Sequence, residues 1–199
     1  MNARERKLSF VIACFNSEKS LSSVVDEITL TLELNGWQDY EIILVNDSSQ
    51  DNTFSVIQSI CQCNSKVKGI DLSRNFGQQP AMLSGFSCAT GDIIAYCDDD
   101  GQSPVSEIIT FIEKLDEVFD MVWAKYNVKE NGLFSRLGSK MNDLTVNLLF
   151  NKPKSLSFGN MWVARKFVIE ETIKCKGPNP YLGGFFLSIT SNMANVLVT

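Results

Sequence analysis

In the segment IIAYCDDDGQSP, residues 93–104, three consecutive carboxylates, Asp98, Asp99 and Asp100, follow a run of strand-forming apolar residues. Adjacent like charges repel, and the repulsion grows where a preceding apolar strand limits solvent screening. A divalent cation relieves it. Carboxylates at alternate positions, here Asp98 and Asp100, project toward a common ligand, and Mg2+ or Mn2+ favours oxygen donors. Gln102 offers one more oxygen. The competing reading is a solvated acidic turn with no ion. A calcium loop of the EF-hand type is excluded, because Ile109 stands at the twelfth position from Asp98, where a bidentate Glu belongs.

Two further polar clusters, CFNSE (14–18) and VNDSSQDNT (45–53), also follow apolar runs. Asp47 reads either as a turn or helix-start residue or as a hydrogen-bond acceptor for a nucleobase or ribose; residue type leaves both open. The chain has no histidine. That removes Ser-His-Asp and Cys-His catalysis within it, together with any imidazole base. The six cysteines, Cys14, Cys61, Cys63, Cys88, Cys97 and Cys175, form no C-x-x-C pair. A zinc site is therefore not expected, and the cysteines read as small core residues in a reducing compartment. Neither the dinucleotide fingerprint nor the P-loop occurs.

Elements predicted from periodicity must bring these clusters together. KLSFVIACF (7–15), YEIILVNDSS (40–49), VKGIDLS (67–73) and DIIAYC (92–97) are apolar runs of strand length. Helices are predicted over 17–36, 51–62, 77–91 and 103–118. The first carries Leu21, Val24, Val25, Ile28 and Leu32 at helical spacing, and Pro80 and Pro104 open the last two. Strands without alternation, each followed by a helix, predict a doubly wound α/β architecture: a mostly parallel sheet covered on both faces. Ligands bind such sheets at the carboxyl ends of the strands, where all three polar clusters fall. After DMVWAKYNV (120–128) the rhythm changes. Residues 135–150 read as a helix and 155–173 as a strand leading into a helix. From Gly177 to Thr199 there is no charge, but Asn, Ser and Thr interrupt the apolar residues too often for a membrane span.

No linker divides the 199 residues, so one domain is expected over 1–199. A net charge of -5 argues against a general nucleic-acid binder. With 44% hydrophobic and 21% charged residues the chain is not of the disordered class. The charged start, MNARERKLSF, is not a secretory signal.

The segments SFVIACFNSEKSL, YEIILVNDSSQDNT, LSRNFGQQPAMLSGFSCATGDII and CDDDGQSP, in this order and spacing, resemble a family 2 glycosyltransferase of the GT-A fold. Within that family they are most similar to the polyprenyl-phosphate glycosyltransferases, such as dolichol-phosphate mannose synthases and undecaprenyl-phosphate sugar transferases. The likeness spans residues 8–118 well and is looser beyond. It implies an inverting, metal-dependent hexosyltransferase that draws on a UDP- or GDP-sugar. In that role Asp98 and Asp100 form the D-x-D pair on Mg2+ or Mn2+, with Gln102 beside them. Asp99 lies where the backbone nears the nucleotide, and Asp47 lies on the donor nucleotide. Ala13, Phe15, Ser17 and Val45 line base and ribose, and Arg74 is a basic position near the donor. Residues 1–128 would bind the nucleotide-sugar and 129–199 would serve the acceptor.

Departures from the family pattern bear on the acceptor. Ala13, Phe15 and Ser17 replace Pro, Tyr and Glu, and Asn46 and Ser48 replace Asp and Gly of a D-D-G-S turn. GNMW sets Asn160 and Trp162 where relatives carry Asp and Arg of G-D-F-R. An amide takes no proton at neutral pH. A lipid phosphate, with a second pKa of about 6, is already ionised and needs no strong base. A polyprenyl-phosphate acceptor fits best. The alternatives are a transferase acting on a saccharide hydroxyl, or a degenerate nucleotide-binding member without turnover. A haloacid-dehalogenase-type phosphatase would want Thr or Val at Gln102, and a nucleotidyltransferase would want a Gly-rich basic loop in place of ACFNSEKSL. Relatives continue into a basic stretch and transmembrane helices. The expectation is thus a soluble catalytic chain at the cytoplasmic face of a membrane, with Tyr181, Leu182, Phe185 and Phe186 near the interface.

Overall fold

A computed structural model describes residues 3–126, 153, 156–175, 177 and 181–198. In chain order its principal elements are β1 (Leu8–Cys14), α1 (Leu21–Leu34), β2 (Tyr40–Asn46), α2 (Thr53–Cys63), β3 (Val67–Asp71), α3 (Gln78–Cys88), β4 (Ile93–Tyr96) and α4 (Ile108–Glu117). There follow β5 (Met121–Tyr126), β6 (Trp162–Arg165), α5 (Lys166–Thr172), α6 (Leu182–Ile189) and β7 (Met193–Val198). The seven strands form one sheet in the order β3-β2-β1-β4-β6-β5-β7. Pairing is parallel for β3-β2-β1-β4 and for β5-β7, and antiparallel on both sides of β6. The helix expected over 135–150 lies outside the described residues.

Side chains alternate across the sheet, and each face has its own core. Phe10, Ile12, Ile42, Leu44, Ile93 and Ala95 pack against α1, α2 and α4, through residues such as Val25, Ile28, Ile57, Phe111 and Leu115. Val11, Ile43, Val45, Ile94 and Tyr96 face the other way, against α3, α5 and α6. Both faces are covered, so the strands carry apolar residues at successive positions, as a doubly wound sheet requires. The helix α3 approaches β1 closely. A Cβ at Gly85 would lie 2.4 Å from Val11 Cγ1, so a larger residue there would push the helix off the strand.

The second half of the chain completes the same sheet. β6 inserts antiparallel between β4 and β5, and β7 adds at the edge of β5. Two residues expected at a membrane interface belong instead to the core: Leu182 and Phe186 are 3% and 1% exposed, while Tyr181 is 42% exposed. Their apolar character serves packing beneath β5 and β6. Among the described residues no helix is long and apolar enough to cross a membrane.

The end of the sheet opposite the polar clusters is held by Glu41, whose side chain is 4% exposed. It accepts hydrogen bonds from Ser9 Oγ (2.7 Å), Thr90 N (2.8 Å), Thr90 Oγ1 (2.6 Å) and Lys68 Nζ (2.6 Å). These join β1, β2, β3 and the entry to β4. Burial pushes the Glu41 carboxyl up, but the Lys68 ammonium and the Thr90 and Ser9 donors outweigh it and lower the pKa to about 2.

Candidate active site

The order β3-β2-β1-β4 makes β1 the point from which the chain winds both ways. A crevice opens there, at the carboxyl ends of the strands. The turns after β1 and β2 brace one another across it. Asp47 N donates to Cys14 O (2.9 Å), Asn16 N to Ser49 Oγ (3.0 Å), Gln50 N to Asn16 Oδ1 (2.8 Å) and Ser17 N to Thr53 Oγ1 (2.8 Å). Asn16 and Ser48 both sit at φ 55, the left-handed region. Ser48 thus bears the strain that a glycine at this position would avoid.

The loop after β4 spreads its three carboxylates apart. Asp98 is half-buried, and its Oδ1 accepts from Tyr96 Oη (2.9 Å) and Gln78 Nε2 (2.9 Å). Gln78 Nε2 also donates to Tyr96 Oη at 2.8 Å, closing a triangle. Asp99 turns toward β1 and accepts from Phe15 N through Oδ2 at 2.9 Å. Asp100 is exposed and accepts from Gln102 N at 2.9 Å. Gly101, at φ 76, reverses the chain so that Asp98 N reaches Ser103 Oγ at 3.2 Å. Burial raises the Asp98 pKa; repulsion from Asp100 and Asp99 adds to it, while Tyr96 and Asn160 oppose.

Hard oxygen donors strained by mutual repulsion suit Mg2+ or Mn2+, which such a site holds with one or two carboxylates plus substrate phosphates and water. Among the described residues no group of three or more Asp, Glu, Cys or His is poised for a metal. Asp98 and Asp100 would therefore need a donor diphosphate to complete the coordination. The nearby thiols take no part. Cys97 and Cys14 are buried, and burial together with the acidic loop pushes both pKa values up, which keeps them protonated.

Two cavities flank this loop. One, of 230 Å3, is lined by Ala13, Cys14, Phe15, Asp47, Asn75, Gly77, Gln78 and Asp99. The other, of 290 Å3, is lined by Gln78, Gln79, Tyr96, Asp98 and Asn160 on its polar side. Its apolar side is Met82, Trp123, Phe158, Trp162, Tyr181, Leu182 and Phe186. Gln78 lines both, Asp99 faces the first and Asp98 the second. Trp162 anchors the aromatic wall: it stacks on Tyr96 (5.7 Å, 21°) and meets Phe86, Trp123 and Phe186 at 5.6, 5.7 and 5.3 Å.

The candidates read from the sequence divide accordingly. Ala13, Phe15, Asp47 and Asp99 meet in the smaller cavity and Asp98 stands in the larger. Asp47 spends both carboxylate oxygens on the loop before α3, accepting from Phe76 N and Gly77 N at 2.8 Å each. Val45 and Ser17 are buried behind the cavity wall and do not line it, because Val45 points to the α3 face of the sheet and Ser17 caps the turn into α1. The Arg74 guanidinium lies over the Phe76 ring at 4.6 Å. Gln102 contributes its backbone N–H and has an exposed side chain. Gln78, Tyr96 and Trp123 were not legible as site residues. The only cue to Gln78 was its place at the start of a helix that follows a strand.

Residues 9–173 match the model of the family described as glycosyl transferase family 2. Similar solved structures include mannosyl-3-phosphoglycerate synthase from Rubrobacter xylanophilus, 19% identical with a TM-score of 0.68 over 98% of this chain and 66% of that one. Glucosyl-3-phosphoglycerate synthase from Mycobacterium tuberculosis, in complex with Mn2+, UDP and glucosyl-3-phosphoglycerate, is 17% identical (TM-score 0.69; 98% and 72% covered). A mannosyltransferase from Pyrobaculum calidifontis, in complex with GDP-Man and Mn2+, is 12% identical (TM-score 0.69; 96% and 55% covered). The chain thus spans between about half and three quarters of the length of these proteins. At such identities the structural likeness establishes the GT-A fold alone. The family match covers most of the chain, including every strand-end cluster of the crevice, and it shows that this chain belongs to glycosyl transferase family 2.

Proposed function

We propose that the chain transfers a sugar, with inversion, from a UDP- or GDP-sugar to a polyprenyl phosphate, using Mg2+ or Mn2+. The observation that carries this reading is the acidic loop dividing two cavities that share Gln78. The smaller cavity, with Phe15 and Asp99, takes the nucleoside. Asp98 and Asp100 hold the cation on the diphosphate, and the aromatic cavity behind Asp98 takes the sugar. A cation there supplies charge neutralisation to the departing diphosphate. Similar proteins that carry Mn2+ with UDP or GDP-Man support the donor and metal assignments.

The acceptor reading rests on the groups that adjoin Asp98 among the described residues. Asn160 adjoins Asp98, and its Oδ1 accepts the Tyr126 hydroxyl. Burial raises the Tyr126 pKa, with Asp98 and Asp100 adding to it against the Asn160 hydrogen bond, so this hydroxyl is a poor base. An acceptor that arrives as a phosphate brings its own nucleophilic oxygen. Action at the cytoplasmic face of a membrane follows from a lipid acceptor.

The test is calorimetric titration with UDP and GDP, with and without Mn2+, followed by release of nucleoside diphosphate from sugar nucleotides in the presence of undecaprenyl or dolichyl phosphate. Metal-dependent binding and acceptor-dependent release are expected. Binding without release toward any acceptor would leave a nucleotide-binding protein. Binding of neither nucleotide would overturn the donor reading.

A further inference from the structure

The hydroxyl of Tyr96 has two polar neighbours, and only one of them can accept its proton. Gln78 Nε2, at 2.8 Å, is itself a donor, whereas Asp98 Oδ1, at 2.9 Å, is an acceptor. The O–H hydrogen therefore points at Asp98. Gln78 Nε2 also lies 2.9 Å from Asp98 Oδ1, but in a poorer geometry. Sides of 2.8, 2.9 and 2.9 Å set the two oxygens about 60° apart as seen from Nε2, closer together than the two hydrogens of an amide nitrogen diverge. The amide must bend or share its hydrogens, so Tyr96 makes the better-directed bond. Its ring is 3% exposed and ends β4. The sheet register sets Trp162 of β6 opposite it, and the two rings stack at 5.7 Å and 21°. On the other side Asp47 holds Phe76 N and Gly77 N, and with them the start of α3 at Gln78. Both donors are thus fixed by contacts that do not involve Asp98.

We infer that Tyr96 is a positioning residue for the cation site: its hydroxyl, braced by the Trp162 ring, orients the Asp98 carboxylate toward a cation on the donor diphosphate. This rests on the donor and metal reading above. Asp98 follows the strand directly and is repelled by Asp99 and Asp100, so an unheld side chain would turn away from them. A directed hydrogen bond to one of its oxygens sets the carboxylate plane and offsets part of that repulsion. Outer donors that orient a ligating group commonly contribute about 10–100-fold to metal affinity. Gln78 assists from α3, but its shared geometry makes it the lesser of the two donors.

The test is Tyr96→Phe, which keeps the ring against Trp162 and deletes only the hydroxyl. Mn2+ affinity at saturating UDP or GDP, read from the electron paramagnetic resonance of free Mn2+, should fall roughly ten- to hundredfold. Affinity for UDP or GDP without cation, measured by calorimetry, should not change. Adding Tyr96→Phe to Asp98→Asn should alter neither quantity further, because the effect passes through that carboxylate. A tyrosine that only supports the fold would lower the melting temperature and leave Mn2+ affinity at the parent value; that result overturns the inference. So does an equal loss of nucleotide binding with and without cation. Should the variant fold poorly, 3-fluorotyrosine in the intact chain decides. The chain has four tyrosines; Phe variants of Tyr40, Tyr126 and Tyr181 assign three fluorine signals and leave the fourth to Tyr96. That fourth signal should shift when Mg2+ joins the nucleotide. A Tyr96 signal that stays fixed while Mg2+ and nucleotide bind overturns the inference and leaves the donor reading standing. A protein that binds no nucleotide overturns both.

Discussion

The side-chain amide of Asn46 donates to Asp71 Oδ1 at 2.7 Å, joining the ends of β2 and β3 beside the crevice. Its own Oδ1 accepts from Ser49 N (3.2 Å) and Ser49 Oγ (2.6 Å), so one residue ties the turn to the neighbouring strand. The family resemblance implies Asp at this position. Here a carboxylate would face Asp71, which explains why an amide is accommodated. Asn46→Asp should therefore destabilise the protein by about 1–3 kcal/mol at neutral pH, through a lost hydrogen bond and like-charge repulsion. The new carboxyl would have a raised folded pKa, so the deficit should shrink as pH falls and it protonates. Chemical denaturation at pH 7 and pH 5 checks this; an equal deficit at both would dismiss the repulsion.

Ser48 sits at φ 55, where an L side chain is strained and glycine is not. Ser48→Gly should raise stability by roughly 0.5–1 kcal/mol, the left-handed penalty less the extra entropy of an unfolded glycine. Thermal melting reads it directly. A variant no more stable than the parent would show that the turn gains as much from the serine as it costs.

Glu41 titrates at about 2 in the folded protein, below the ordinary 4.5. A depressed carboxylate stabilises the fold above its unfolded pKa, and that stability is lost as pH falls from about 4.5 toward about 2. Glu41→Gln should cost roughly 3 kcal/mol at neutral pH and flatten the acid limb of the stability curve across this window. Denaturant unfolding of both proteins between pH 2 and 6 measures it. A parallel pair of curves would refute the role given to Glu41.

Asp98→Asn should abolish Mn2+-dependent binding of UDP or GDP while leaving the melting temperature unchanged or higher, because repulsion within the acidic loop is relieved. Gln78→Ala should weaken the same binding about tenfold, since outer partners that orient a ligating carboxylate commonly contribute 10–100-fold in metal affinity. Calorimetry with and without the cation separates the two effects. Unaltered Mn2+ dependence in Asp98→Asn would remove the metal from that residue.

The sequence by itself determined the parallel half of the sheet and the position of the acidic loop. Apolar runs such as EIILV, followed by helices such as that of Val24, Val25 and Ile28, admit few arrangements other than strands buried on both faces. Polar clusters at the ends of those strands then converge by topology alone. What periodicity cannot state is which strand a segment pairs with. That β6 enters antiparallel beside β4, setting Trp162 opposite Tyr96, depends on contacts between residues 66 positions apart. The same holds for Asp47, whose two oxygens are drawn to Phe76 N and Gly77 N by the approach of the α3 loop, and for the triangle of Gln78, Tyr96 and Asp98. Residue type announces that a group can accept, donate or bind a cation. Only the tertiary structure decides which partner it meets, because hydrogen bonds reach about 3 Å and chain separation carries no information about that distance.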